Sequence, residues 1–184
     1  MRLRVTEVAD GIHRLEDVHT NWYVLVSGGR LTVLDAGLPR DWDDFVTALA
    51  RLGHRPDDVD AVLITHHHPD HAGNAERLRV AGARVLAHRD DAPSLQGGRA
   101  ISVRSRLRLV RRPWYLQYMA RYLLKGITHT PAIAELDELA DGEVVDVPGA
   151  PRVVHVPGHT AGSCALLLEE RSVLFSGDAR ASIA

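Results

Sequence analysis

A single cysteine in 184 residues rules out an internal disulfide. No stretch of the sequence approaches the roughly 20 consecutive apolar residues that a membrane-spanning helix needs, so stable membrane insertion is not expected. The opening Met1-Arg-Leu-Arg-Val-Thr-Glu7 lacks the apolar segment of a secretory leader, which predicts a cytoplasmic address. A net charge of −2 gives no general affinity for nucleic acid. Neither an internal repeat nor a low-complexity linker divides the chain, and no Ser-His-Asp arrangement is evident. What remains is a 45% hydrophobic chain, able to bury a sizeable core as one domain over residues 1–184. The lone Cys164 lies in Ser163-Cys-Ala-Leu-Leu-Leu168. That run reads as a buried strand, and nothing in the sequence places a base beside the thiol, so a packing role is expected.

Against these absences stands residues 65–71, Thr-His-His-His-Pro-Asp-His. It packs four metal-ligand candidates, His66, His68, Asp70 and His71, into six residues after the apolar run Ala61-Val-Leu-Ile64. The run is short and β-branched, as a buried strand is. A strand ending abruptly in imidazoles delivers them to a sheet edge, where they converge on a point. Neutral imidazole suits zinc, iron, copper and nickel, while a carboxylate adds a hard oxygen and negative charge for a second cation. A polar His-rich loop without metal is the bland alternative. His67 should point away from its two neighbours if the chain is extended there. Two later stretches fit the same site. Val153-Val-His-Val156 runs into Pro157-Gly-His-Thr-Ala-Gly162, and Ser172-Val-Leu-Phe175 ends in Ser176-Gly-Asp178. Glycine turns at strand ends hold ligands rigidly and leave room for metal, water and substrate.

These motifs together resemble the metallo-β-lactamase-fold hydrolases. The resemblance rests on His-x-His-x-Asp-His at 66–71, Gly-His-Thr-x-Gly around His159, Gly177-Asp178 and Leu34-Asp-Ala-Gly37, in the family's order from about residue 8 onward. It implies an α/β (α+β) fold of the αββα sandwich type. It also implies that His66, His68 and His159 hold one metal, that Asp70 and His71 belong to a second, and that Asp178 bridges the two. Asp35 would support the site from below. Members of the family normally continue to a final histidine that completes the second metal site, whereas this chain stops at Ala184, six residues after Asp178. The resemblance therefore implies an incomplete second half. An apolar sheet edge would then be open to self-association.

The remaining pattern gives four early strands near 3–8, 12–16, 22–27 and 31–35, a meander ending at Asp35. Trp42, Phe45, Val46, Leu49 and Leu52 fall at helical spacing, with Asp41 as N-cap and Gly53 as the stop. Residues 71–80 read as one further helix and 83–87 as the next strand. Residues 99–125 carry eight cations and no acid, interleaved with Trp114, Tyr115, Tyr118 and Tyr122. This reads as an inserted basic helical segment. It is either a solvated surface helix, a lid in which Arg111, Arg112, Trp114, Tyr115 and Tyr118 meet an anionic small-molecule substrate, or a contact with a membrane surface.

The chemistry expected of the cluster is hydrolysis. A metal on three imidazoles keeps a position for water and lowers its pKa from 15.7 to roughly 7. Asp70 would orient that nucleophile and help protonate the leaving group. The expected activity is zinc-dependent cleavage of an ester, thioester or lactone, with one or two ions, as in the glyoxalase II-like and lactonase-like branches of the family. Mononuclear iron chemistry on sulfur compounds and a truncated, inactive metal-binding product are the alternatives.

Overall fold

The computed structural model describes residues 3–17, 20–97, 116, 120, 123–128 and 130–180. The chain begins as an antiparallel meander of β1 (Arg4–Ala9), β2 (Ile12–Glu16), β3 (Asn21–Ser27) and β4 (Arg30–Leu34). Gly11 and Gly28-Gly29 turn the chain between these strands with positive φ, where a side chain would be strained. After β4 the pairing becomes parallel. β5 (Val59–Ile64), β6 (Arg84–His88) and β7 (Asp137–Leu139) add in sequence to complete a seven-stranded sheet. Helix α1 (Trp42–Arg51) makes the first crossover, α2 (Pro69–Ala72) and α3 (Ala75–Val80) the second, and α4 (Ala92–Gln96) follows β6. A second, antiparallel sheet sets β9 (Cys164–Leu168) between β8 (Arg152–His155) and β10 (Val173–Phe175).

Strand alternation builds two cores from the one large sheet. In β3, Trp22 and Val24 pack in the helix-side core and Tyr23 and Leu25 in the other; in β5, Val62 and Ile64 oppose Ala61 and Leu63 in the same way. Phe45, Ala48 and Leu49 of α1 and Leu78 of α3 fill the first core. The second lies between the sheets, where Val153, Cys164, Leu166 and Phe175 meet Leu34 and Leu63. Central β5 is therefore apolar on both faces, as parallel strands covered on both sides must be. Among the described residues the layers run helices, large sheet, small sheet, three of the four layers of the expected αββα sandwich. No helix among the described residues is long and apolar enough to cross a membrane.

Two local expectations need correction. Asp41 precedes α1 but does not cap it. Its Oδ2 takes the Leu38 amide and its Oδ1 the Lys125 ammonium, so no lone pair is directed at the helix amides. The helix expected over 71–80 is in fact two, broken at Gly73-Asn74. The break lets the 37–39 loop press in: a Cβ on Gly73 would lie 2.3 Å from the Gly37 carbonyl oxygen. Asn74 holds the same loop by donating to the Ala36 and Leu38 carbonyls at 2.9 and 2.7 Å. Arg111, Arg112, Trp114, Tyr115 and Tyr118, the expected lid, lie outside the described residues.

Candidate metal centre

The expected ligands gather at one edge of the sheets, past strand ends or, for Asp70 and His71, on the short helix that follows β5. β4 ends before Asp35, β5 runs into Thr65–His68, and α2 carries Asp70 and His71. The loop after β8 brings His159, and the turn after β10 brings Asp178. His68 Nδ1 lies 2.9 Å from His159 Nε2 and 3.1 Å from His66 Nε2. Nitrogens bound at 2.0–2.1 Å to one tetrahedral centre are about 3.4 Å apart, so this cluster is already close to the size of a metal site. A second group shares His66: His71 Nε2 is 3.5 Å from Asp178 Oδ1, and His66 Nε2 is 3.9 Å from Asp178 Oδ2. In each triad the candidate ligand atoms lie within 4.8 Å of one another, and Asp178 Oδ2 also comes 3.5 Å from His159 Nε2. Asp70 is marginal. Its Oδ2 is 3.8 Å from His71 Nε2 and 3.5 Å from Thr20 Oγ1, and it joins neither triad.

The groups beneath the ligands are as specific as the ligands. Asp35 has φ +62°, an uncommon conformation for a residue with a side chain. Its carboxylate accepts the Thr65 amide at 2.8 Å, the Thr65 hydroxyl at 2.9 Å and His71 Nδ1 at 2.7 Å. The bond to His71 leaves Nε2 pointing into the site, an orientation that outer carboxylates commonly impose on metal-binding histidines. Thr65 Oγ1 lies 3.1 Å from His66 Nδ1 and adds the same constraint there. Gly177, at φ +49°, allows close packing: a Cβ would sit 2.8 Å from Thr65 Oγ1.

Burial and charge divide the histidines. Burial, with the neighbouring imidazoles His71 and His68, holds the His66 pKa far below the usual histidine range. Burial and His159 bring His68 down to about 4. Both are neutral, and so able to ligate, at physiological pH. His71 goes the other way: burial opposes its charge, yet the carboxylates of Asp35, Asp178 and Asp70 hold its pKa well above the usual value. In turn the His71 contact holds the Asp178 carboxyl below the usual range.

One participant escaped the sequence reading. Asp91, 2% exposed, lies three residues beyond the end of β6. It accepts the His67 amide at 2.9 Å, the Thr160 hydroxyl at 2.7 Å and the Gly162 amide at 2.9 Å. His67 joins neither triad: its Nδ1 lies 3.1 Å from Asp91 Oδ1 but off the line of a hydrogen bond, and its ring stands edge to face with that of His68 at 5.1 Å, so it is not turned away from both neighbours as expected. The one local feature of Asp91, an acid three residues after a buried strand, is too common to single it out. A third donor group, His88, Asp90 and His155, was also unforeseen. Its two rings stack 4.0 Å apart and 10° from parallel. Their in-plane lone pairs therefore do not converge as those of the near-perpendicular His66, His68 and His159 rings do.

Known proteins share this fold. A metallo-beta-lactamase family protein from Thermus thermophilus superposes with a TM-score of 0.68 at 29% identity, covering 92% of this chain and 60% of that one. The subclass B3 metallo-beta-lactamase BJP-1 of Bradyrhizobium japonicum gives 0.70 at 21% identity, over 90% of this chain and 56% of that one, a likeness of fold. In sequence, an atrochrysone carboxyl ACP thioesterase from Cryptosporiopsis sp. is 29% identical over 163 residues, which is 86% of this chain and 38% of the thioesterase. A hydroxyacylglutathione hydrolase from Cereibacter sphaeroides is 32% identical over 120 residues, 64% of this chain and 32% of that enzyme. The chain thus spans between about a third and 60% of the length of these relatives. Residues 15–183 match the family model of the metallo-beta-lactamase superfamily, and with the fold and the two histidine-rich triads agreeing, the chain belongs to that superfamily.

Proposed function

We propose that this chain carries the metal centre of a zinc-dependent hydrolase that cleaves a thioester or a related ester or lactone. The observation that carries the proposal is the pair of triads sharing His66, with their donor atoms gathered within ligand distance of one another. Three imidazoles are a common ligand set for catalytic zinc. The thioesterase and hydroxyacylglutathione hydrolase among the relatives favour a thioester.

His66, His68 and His159 would hold a divalent cation, which would supply a Lewis acid for the scissile carbonyl and lower the pKa of a water toward neutral. The chain's own residues do the rest. Asp35 and Thr65 fix the imidazoles of His71 and His66, so the site needs little rearrangement to react. Asp70, at the margin of the cluster, is the group we assign to orient the attacking water and carry its proton. The cations of segment 99–125 raise the local concentration of an anionic substrate, an effect that salt weakens.

The test is a panel of neutral and anionic thioesters, esters and lactones, assayed with zinc-loaded and chelator-stripped protein. Thioester cleavage that needs zinc supports the proposal. Arg111→Ala with Arg112→Ala should raise KM for the anionic members alone. Hydrolysis that survives complete metal removal, or iron-dependent oxygen uptake on a persulfide in place of hydrolysis, overturns it.

A further inference from the structure

Two loops must meet to complete the three-histidine triad. One carries His66 and His68; the other carries His159. Asp91 belongs to neither loop and to neither triad, yet it grips both. From the first it takes the amide of His67, the residue between the two ligands, and pairs with that residue's ring. From the second it takes the hydroxyl of Thr160, next to His159, and the amide of Gly162. A carboxylate 2% exposed would ordinarily be driven toward its neutral form. Here burial does push its pKa up, but the adjacent His67 ring and the hydrogen bonds from Thr160 and Gly162 outweigh it and hold the group ionised far below the usual range. The anion is thus satisfied by the two loops that carry the ligands.

The close approach is visible independently at Gly162. A Cβ there would fall 2.6 Å from the Asp91 nitrogen and 2.8 Å from its Cβ, so the His159 loop reaches Asp91 only because residue 162 has no side chain. Ser163 Oγ braces the same point, accepting the Thr160 amide at 2.9 Å and sharing a 2.8 Å hydrogen bond with its hydroxyl. One further backbone tie, Cys164 N–H to the Thr65 carbonyl at 2.9 Å, joins the strands behind the loops, not the ligands themselves.

We propose that Asp91 is a positioning residue that sets the spacing between the His66/His68 loop and the His159 loop, and so sets the metal affinity of the three-histidine triad without touching the ion. The inference rests on the reading of the triad as a metal site. Removing such an outer partner typically weakens metal binding about 10- to 100-fold.

The experiment measures cobalt and zinc affinity by chelator competition, together with the visible absorption spectrum of the cobalt form. It compares the parent chain with Asp91→Ala, Asp91→Asn, Thr160→Val and Thr160→Ser, each checked for folding by circular dichroism. Asp91→Asn keeps the volume but turns an NH2 toward either the Gly162 amide or the His67 amide, so it should lose affinity as Asp91→Ala does. Thr160→Val should weaken binding and alter the cobalt bands, and Thr160→Ser, which keeps the hydroxyl, should restore both. Should the Asp91 variants fail to fold, the Thr160 pair decides alone. Folded variants that bind metal as tightly as the parent, with an unchanged cobalt spectrum, overturn the inference while leaving the metal site intact. A parent chain that binds neither metal overturns the reading of the site itself.

Discussion

The two triads share His66 but are prepared for an ion in opposite ways. In the His66/His68/His159 group, His66 and His68 are held neutral and two loops are joined by a buried anion, Asp91. In the His66/His71/Asp178 group, the carboxylates of Asp35 and Asp178 lie 2.7 and 3.5 Å from the two ring nitrogens of His71 and raise its pKa, against the effect of burial. Burial and neighbouring imidazoles favour free lone pairs on His66 and His68, whereas the carboxylates around His71 favour its charged form. The difference implies sequential filling, the three-histidine group first.

His66→Ala should have the largest effect, because it removes the one ligand common to both groups. Bound zinc should fall to background and thioester cleavage with it; single loss of His159 should leave the second group able to bind. The pH dependence sharpens the contrast next. A histidine must shed its proton to ligate, so a raised pKa weakens binding as pH falls and a lowered one protects it. Zinc affinity of the His71 group should therefore drop between pH 8 and 6, whereas His66 and His68 add no such dependence until pH approaches about 4. Asp35→Asn removes the principal carboxylate holding the His71 proton and should flatten this dependence, as read by titration at several pH values.

Much of this was legible in the residues. The 66–71 motif, His159 and Gly177-Asp178 announce candidate ligands, because chemistry limits which side chains bind metals and strand ends limit where they gather. The meander before Asp35 was readable from alternation and glycine turns, and Asp35 itself from the family resemblance of Leu34-Asp-Ala-Gly37. Asp91 was not, since one acid among many after a strand carries no local mark, and its partners His67, Thr160 and Gly162 are brought to it only by tertiary packing. The helix break at Gly73 was hidden for the same reason: local spacing favours a continuous helix, and it is the 37–39 loop that forbids it.

Smaller effects test how tightly the second group is built. Gly177→Ala adds a Cβ 2.8 Å from Thr65 Oγ1 at a backbone φ of +49°. Overpacking of this kind costs about 1–3 kcal/mol. A lowered melting temperature and weakened cobalt binding at both groups are expected, because Thr65 also orients His66, which the two groups share. Cys164 should show the smallest response. Burial, with the charges of Asp35 and Asp91, pushes its thiol up to about 12. Alkylation at pH 8 should be slow in the folded chain with or without metal, and fast only after unfolding.

The central claim is that the converged histidines bind the ion on which hydrolysis depends. Its most direct test is to strip the protein of metal, add zinc back in steps, and record bound zinc per chain and the initial rate of thioester cleavage on the same samples. The account predicts no cleavage without metal, and a rate that rises with the first equivalent of bound zinc. A stripped chain that retains full activity, or one that fills with zinc and leaves every thioester intact, would contradict it.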